Sequence, residues 1–282
     1  MRYFCPTTLA DALEILADDP DAHCLAGGAT LTAMMNAELL MPTSLVSLRN
    51  ISELSGITSN DYGFRIGAMT RHHEVASFTK FSDDLKVVQL AASKIGHPAI
   101  RAVGTIGGSV AHADPAADYP TALVAARAEI ELTSTDGVRR ISASEFFEDF
   151  FTTALQTGEM VSAILLTSHP LANVSAYQKI TRSDGDFATV SIAFCGRFEG
   201  ETCTQARIAV GGCAATPIQV DAVDEMLFGS TLGSRHIDDA AKALADACDP
   251  IDDVRGSADY RRLLVRRLLP RILEQAHIGT QS

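Results

Sequence analysis

The feature that most constrains this chain is a glycine-rich stretch at residues 104–120, GTIGGSVAHADPAADYP. It combines three glycines with two prolines and short polar side chains, a composition that favours neither helix nor strand. We therefore predict a loop with exposed amides, which suits the polar backbone of a ligand. A second glycine pair lies in AGGATLTAMM, residues 26–35, where an apolar run turns into a helical pattern. These two glycines indicate either an anion-binding helix start or a tight strand-to-helix turn.

Length and charge limit the class of protein. The 282 residues predict two or three domains. The 23 basic and 35 acidic side chains give a net charge of −12, which disfavours nucleic acid as a partner. The sequence contains no run of ~18 apolar residues and no basic, then hydrophobic, leader, so we expect a cytoplasmic protein without a membrane span. The six cysteines form no CxxC pair, so we expect reduced thiols and neither an iron–sulfur cluster nor structural zinc in this chain.

Hydrophobic spacing predicts a small α/β unit at residues 1–55. Helical spacing covers 7–18, a short strand covers 23–26, a helix follows the glycine pair, and the strand TSLVSL covers 43–48. A second unit at 56–173 carries a strand near 64–68 and helical patterns at 71–78 and 85–95.

The same unit continues after the glycine-rich stretch. ALVAARAEIELTS and GVRRIS are predicted as two strands joined by a turn at Asp136 and Gly137, and EMVSAILLTSHP as a further strand. From 174 to 282, three β-rich runs predict an antiparallel sheet: AYQKITRS, ATVSIAFCGRF and TCTQARIAVGGCA. Helices are predicted near 221–228 and 235–247 and in SADYRRLLVRRLLPRILEQA, whose arginine and leucine pairs are typical of an amphipathic surface helix.

Standard nucleotide motifs are absent, because the sequence contains neither GxGxxG nor GxxxxGK[ST]. The pattern HxDxxxD formed by His112, Asp114 and Asp118 offers ligands for a divalent metal. One alternative is therefore a metal-dependent hydrolase that uses these residues, with His72 or His73 as a further ligand. Histidine and aspartate in loops more often hydrogen-bond to the backbone.

Several motifs together resemble a known family. AGGATLTAMM followed by TIGGSVAHADPAADYP resembles the FAD-binding subunit of the molybdenum hydroxylases, the xanthine dehydrogenase and carbon monoxide dehydrogenase family. The likeness continues in order through IGHPAIRAVGTIGG, YQKITRSDGDFATVSIAF, GGCAATP and SADYRRLLVRRLL. It implies an α+β chain with a PCMH-type FAD-binding fold, in which α/β subdomains at 1–55 and 56–173 enclose the cofactor. A C-terminal α+β domain at 174–282 would follow, with an antiparallel sheet and helices.

The resemblance also implies a set of cofactor-binding residues. The first loop would line the pyrophosphate, mainly through its amides, with Ala26, Gly27, Gly28, Ala29, Thr30 and Leu31. The second loop would contribute Thr105, Ile106, Gly107, Gly108 and Ser109. Asp118 would hold the ribityl or adjacent sugar hydroxyls, and Phe187 would lie beside the isoalloxazine, with a core phenylalanine at a strand start as the alternative. Amide dipoles can bind a diphosphate without an arginine cluster, so the acidic net charge is no objection.

Two positions depart from the commoner family pattern. Ala29 and Ser109 stand where longer polar side chains are frequent, so side-chain contacts are lost there while backbone contacts survive. The same departures leave open a scaffold that has lost its cofactor. Lys179 and Arg182 are candidate cations near the flavin, although we expect solvated surface positions for both.

The implied function is electron transfer. The resemblance implies that a small subunit with two [2Fe–2S] clusters delivers electrons to the FAD of this chain, which passes them to an external acceptor. Hydroxylation of the substrate would occur on a large molybdopterin subunit, in a heterotrimer that is itself doubled. No catalytic side chain and no metal ligand is expected in this chain.

Overall fold

The computed structural model describes residues 1–167, 172–231 and 235–279. The strands are β1 (Arg2–Phe4), β2 (Ala22–Leu25), β3 (Ser44–Ser47), β4 (Ile57–Asn60), β5 (Gly63–Gly67), β6 (Glu129–Ser134), β7 (Gly137–Ser142), β8 (Phe147–Asp149), β9 (Thr152–Thr153), β10 (Met160–Thr167), β11 (Val174–Ile180), β12 (Val190–Glu199) and β13 (Thr202–Gly211). The helices are α1 (Leu9–Asp18), α2 (Ala29–Asn36), α3 (His72–Ser77), α4 (Lys86–Lys94), α5 (Pro98–Val103), α6 (Ile106–His112), α7 (Asp118–Ala125), α8 (Ala143–Phe146), α9 (Asp221–Leu227), α10 (Arg235–Asp246) and α11 (Ala258–Gly279), with a 3-10 turn at Ser52–Leu54.

The N-terminal part is the small α/β unit that the pattern predicts. Its parallel sheet has the order β1-β3-β2, in which β1 is a strand that the sequence pattern did not indicate. Thr8 caps α1 by accepting a hydrogen bond from the amide of Asp11 at 3.1 Å. Leu13 and Leu16 of α1 are then buried against Val46 of the central strand.

The second sheet is antiparallel, with the order β4-β5-β10-β6-β7. The predicted hairpin is confirmed, since β6 and β7 pair with Ser134 opposite Gly137, whose φ of 130° suits glycine. The predicted strand in EMVSAILLTSHP is confirmed as β10 up to Thr167, while its residues 168–170 lie outside the described residues.

The prediction of a loop at residues 104–120 is wrong, because two helices occupy most of it. Thr105 caps α6 by accepting a hydrogen bond from the amide of Gly108 at 3.2 Å, which offsets the weak helix propensity of the glycines. Pro120 lies in the first turn of α7, where a missing N–H has no consequence. The strand predicted from residue 122 is also corrected, since α7 continues to Ala125 and β6 begins only at Glu129.

The third sheet, β11-β12-β13, is antiparallel as predicted and separates two hydrophobic cores. Alternate residues of a strand face opposite sides. Ala193 and Cys195 of β12 accordingly face the core shared with the second sheet, α4 and α7. Ile192 and Phe194 face the other core, which α9, α10 and α11 cover. The third sheet is thereby fastened to the unit that carries the glycine-rich stretch.

The long last helix is anchored by one buried side chain. Arg261 is 3% exposed and donates to the carbonyl oxygens of Thr189 at 2.6 Å and Gly212 at 2.7 Å, and it pairs with Asp253. The two arginines of SADYRR therefore differ in position. Arg261 is internal, whereas Arg262 lies nearer the surface. Within the ranges described, no helix has both the length and the hydrophobicity of a membrane span.

Candidate cofactor-binding site

A cavity of about 930 Å³ lies between the N-terminal α/β unit and the unit that carries the glycine-rich stretch. This is near the upper limit of ligand pockets, which span ~300–1,000 Å³, so the cavity suits a long ligand. Its wall is formed by the 26–31 loop and α2, by the segment from α5 through α6 to Asp118, by residues 155–161, and by Phe187 from the C-terminal part.

The two glycine-containing stretches meet at this cavity. A methyl group on Gly27 would overlap the carbonyl oxygen of Val103 and would lie 2.9 Å from the Cα of Gly104. A methyl group on Gly108 would lie 3.8 Å from the Cβ of Ala26. The first loop therefore approaches the start of α6 more closely than any side chain would allow, and glycine at position 27 makes the approach possible.

The first loop presents free amides to the cavity. Gly28 caps α2 in a left-handed conformation with a φ of 77°. The first amides of a helix have no partner within the helix. Among the residues described, none accepts a hydrogen bond from the amides of Gly28, Ala29, Thr30 or Leu31. Unpaired N–H groups at the positive end of a helix are able to bind an anion.

The second loop differs, because its amides are already paired. The amide of Ile106 donates to Thr70 at 3.0 Å, that of Gly107 to Ala68 at 2.9 Å, and that of Ser109 to Thr105 at 3.1 Å. The prediction that Ile106 lines the ligand needs correction, since its side chain is fully buried and does not border the cavity.

The second loop presents backbone and short side chains to the cavity, so that a ligand can approach it closely. Gly107 is required by packing, since its Cβ would lie 2.8 Å from the Cα of Ala68. Thr105, Gly107, Gly108 and Ser109 all border the cavity. The hydroxyl of Thr105 accepts from Gly108 and still has its own proton to donate.

The described cavity wall contains no lysine or arginine. The carboxylates of the wall that are shielded from solvent pair with cations that lie outside the wall. Glu159 borders the cavity and is held by Arg139 in a two-pronged pair at 2.6 and 2.7 Å, which lowers the pKa of the glutamate. An anion in the cavity would therefore be bound by dipoles and hydroxyls, as the sequence predicts for an acidic protein.

Asp118 borders the cavity and is 4% exposed. Tyr177 donates its hydroxyl to one carboxylate oxygen at 2.7 Å, and Lys179 contacts the other at 3.0 Å. Burial raises the pKa of Asp118, and these two partners oppose that rise. The expectation of a solvated Lys179 is wrong, since its side chain is 6% exposed, whereas Arg182 lies at the surface as expected, 57% exposed.

Phe187 lies at the cavity, 42% exposed, just before β12. The alternative of a core phenylalanine is therefore wrong. The guanidinium of Arg255 lies 5.6 Å from the centre of its ring. The free part of the ring is a flat apolar wall.

The site also contains a residue that the cofactor interpretation of the sequence missed. His72 borders the cavity and is 5% exposed, and its Nδ1 has no hydrogen-bond partner. Burial, with Arg101 nearby, lowers the pKa of His72 to about 4, so the ring is neutral. A methyl group on Gly104 would lie 2.5 Å from its Nε2, so the histidine ring fills the space beside the second loop.

One further signal was available in the sequence. The helix α2 carries apolar side chains yet buries none of them in this chain, because Leu31 and Met34 face the cavity. An apolar helix without a core of its own indicates a ligand. The GE pair at Gly158 and Glu159, by contrast, has no pattern that distinguishes it from an ordinary turn.

The alternative of a metal-dependent hydrolase is not supported. In the described ranges, no three His, Cys, Asp or Glu side chains are grouped to hold a metal ion. Asp118 pairs with Tyr177 and Lys179, Asp114 accepts from the amide of Ala116 at 2.8 Å, and His112 lies against Phe151.

The residues present fit FAD. Free amides suit a diphosphate, a large cavity with apolar walls at α2 and at Phe187 suits two ring systems, and polar side chains such as Thr105 and Ser109 also border it. When bound, FAD supplies the redox chemistry, while the protein supplies binding and orientation.

Comparison with known proteins agrees with this geometry. Residues 1–167 match the family described as FAD binding domain in molybdopterin dehydrogenase, and residues 175–276 match the CO dehydrogenase flavoprotein C-terminal domain. The chain is 34% identical to the 6-hydroxypseudooxynicotine dehydrogenase complex subunit alpha of Paenarthrobacter nicotinovorans, over 97% of this chain and 93% of that protein. It is also 34% identical to the carbon monoxide dehydrogenase medium chain of Afipia carboxidovorans, over 97% of this chain and 96% of that protein.

Solved structures show the same similarity. A chain of quinoline 2-oxidoreductase from Pseudomonas putida 86 superposes with a TM-score of 0.94 at 30% identity, over 100% of this chain and 98% of that one. A chain of the Cu,Mo-CO dehydrogenase superposes with a TM-score of 0.93 at 34% identity, over 99% and 98%. This chain therefore belongs to the FAD-binding subunits of the molybdenum hydroxylases, the family of oxidoreductases that its sequence motifs resemble.

Proposed function

We propose that the chain is an electron-transfer subunit whose FAD accepts electrons from [2Fe–2S] clusters of a small partner subunit and serves an external acceptor. A large molybdopterin subunit would complete a heterotrimer, and two heterotrimers would form the assembly, which we infer to be cytoplasmic. Relatives named as a medium chain and as a complex subunit support a multi-subunit enzyme. The six free cysteines are compatible with a reducing compartment.

The observation that carries the proposal is the free amides of α2, which face a cavity whose described wall contains no lysine or arginine. We assign the diphosphate to the first loop, through the amides of Gly28 to Leu31, with Ala26 and Gly27 shaping the approach. Thr105, Gly107, Gly108 and Ser109 would lie against the opposite side of the same group. Preformed dipoles need no reorganisation when the anion arrives.

The other residues orient the ring systems. Asp118 faces the cavity between its two partners and would accept from a sugar hydroxyl through the remaining lone pairs of its carboxylate. Phe187 would pack against a planar ring of the cofactor and exclude water from one face of that ring. We place the limits of the three units at 55/56 and 173/174, so that β11 opens the last one.

The test is purification of the native complex from the source organism, followed by cofactor analysis of the intact assembly. We expect FAD, two [2Fe–2S] clusters per FAD, and molybdopterin, together with two co-purifying chains. An assembly with neither iron nor molybdenum would overturn the electron-transfer proposal. A colourless chain that binds no FAD would point to a scaffold instead.

A further inference from the structure

Lys179 occupies an unusual place for a lysine. It lies on β11 opposite Ser191 of β12, and its side chain is 6% exposed. Burying an ammonium group is costly unless it is paired and hydrogen-bonded. Its Nζ reaches two acceptors from different parts of the chain, a carboxylate oxygen of Asp118 at 3.0 Å and the carbonyl oxygen of Asp186 at 2.9 Å. Only the first of these contacts is needed to neutralise the aspartate.

The second contact falls in the turn at residues 183–187. The turn closes on itself, because the amide of Asp186 donates to Ser183 at 3.1 Å and the carboxylate of Asp186 accepts from the amide of Phe187 at 2.8 Å. Gly185 has a φ of 80° and lies close to the carbonyl of Gly96, so the turn has little room to shift toward α5.

Phe187 is held between two backbone anchors. On one side, the carbonyl of Asp186 accepts from Lys179. On the other side, the amide of Ala188 donates to the carbonyl of Ala116 at 3.2 Å. Both anchors lead to the segment around Asp118 at the start of α7, which itself borders the cavity. The wall that Phe187 provides is therefore tied to the second half of the site by Lys179.

We propose that Lys179 is a positioning residue that links Asp118 to the 183–187 turn and thereby holds Phe187 against the planar ring of the bound cofactor. The inference rests on the proposed function. It assigns Lys179 a role in the geometry of the site, beyond neutralising a buried carboxylate.

The experiment exploits the absence of tryptophan from the sequence. Phe187→Trp introduces a single indole, and an indole in contact with an isoalloxazine quenches flavin fluorescence by an effect that falls steeply with separation. Full-length chain with bound FAD would be measured for the native sequence, for Phe187→Trp, and for Phe187→Trp combined with Asp118→Asn and Lys179→Met. The neutral pair avoids leaving a buried charge unpaired. Lys179→Met alone in the Phe187→Trp background is the second variant.

A matched control is Arg65→Met in the same Phe187→Trp background. Arg65 pairs with the partly buried Glu131 at 2.9 Å, and neither residue borders the cavity. We expect Phe187→Trp to quench the flavin, Lys179→Met in that background to lose the quenching while FAD stays bound, and Arg65→Met to keep it. The double variant lacks the carboxylate assigned to the sugar, so it is measured at saturating FAD and compared with Phe187→Trp combined with Asp118→Asn alone.

The outcomes separate the two proposals. If neither the native chain nor Phe187→Trp binds FAD, the proposed function fails and this inference falls with it. If FAD binds but Phe187→Trp leaves its fluorescence unchanged, or if the variants without Lys179 quench as strongly as Phe187→Trp, only the role of Lys179 is refuted. If Arg65→Met also abolishes quenching, a general loss of stability explains the result and the positioning role is rejected.

Discussion

The Cα of Gly27 faces the carbonyl oxygen of Val103 so closely that a methyl group on the glycine would overlap that oxygen. This contact joins the loop with free amides to the segment that leads into α6. It sets the width of the cavity where the two glycine-containing stretches meet.

The contact makes Gly27→Ala a disruptive substitution. Backbone must move to admit the methyl group, so we expect a loss of about 1–3 kcal/mol in unfolding free energy and weaker FAD binding. Urea unfolding and FAD titration of the full-length chain measure the two effects. The control is Gly137→Ala in the β6–β7 turn. The φ at this position would strain an alanine, but the space around the added methyl group is open. It should lower stability and leave FAD affinity unchanged, and equal FAD affinity in the two variants would contradict the assigned role of Gly27.

A charge at Ala29 should affect folding and binding in opposite directions. Ala29 is the first residue of α2. An aspartate there favours the helix by about 0.3–1 kcal/mol in the cofactor-free chain. It also places a negative charge among amides assigned to a diphosphate, where repulsion of about 1–4 kcal/mol raises the dissociation constant by a factor between about 5 and about 900. Ala29→Asn has almost the same shape without the charge and should bind FAD nearly as well as the native chain.

Thermal unfolding without FAD and equilibrium titration with FAD measure the two sides of this prediction. Equal affinities for the aspartate and asparagine variants would show that the diphosphate lies elsewhere.

His72 should make the fold sensitive to mild acid. Its pKa is about 4 in the fold and 6.5 in an unfolded chain, so between these values the unfolded chain binds more protons. Stability therefore falls as pH decreases from about 6.5 to about 4, by at most roughly 3 kcal/mol. In His72→Gln this slope should flatten, whereas in His73→Gln, at an exposed position, it should persist. Denaturant unfolding of the cofactor-free chain across this pH range provides the measurement, and an identical slope in the native chain and His72→Gln would contradict the prediction.

Glu159 should make stability depend on pH as well, but at lower pH than His72 does. Its pKa is held below the ordinary 4.5 by Arg139, so its stabilising contribution is complete above the unfolded value and is lost as pH falls through the folded one. Glu159→Gln should cost about 1 kcal/mol near neutral pH, and the difference from the native chain should disappear as pH falls below 4.5 and through the lowered pKa of the folded state. A difference that persists at the acid end would mean that the ion pair is not its source.

Much of the fold was predictable because its signals are local. Three β-rich runs predicted β11, β12 and β13, and a two-residue turn at Asp136 and Gly137 predicted the β6–β7 hairpin. The helices α6 and α7 were not predicted, because glycine and proline propensities argue against helix while tertiary contacts stabilise it. Gly107 must fit against Ala68, and such a requirement is invisible in a propensity scale.

Some residues that border the site could be predicted from the sequence, but the hydrogen bonds and ion pairs that join them could not. The family resemblance implied that Asp118 and Phe187 lie near one ligand, and both border the cavity. Their link through Lys179 depends on a strand register that pairs residues far apart in sequence. The burial of His72 likewise follows from the close approach of Gly104, which no pattern around the histidine announces.

The absence of lysine and arginine from the described wall of the cavity has a consequence for handling the protein. Attraction by fixed amide dipoles acts over short distances inside the fold, where dissolved ions screen little. Concentrated sodium chloride, which would strip a nucleotide held by surface cations, should leave the yellow colour of this subunit in place.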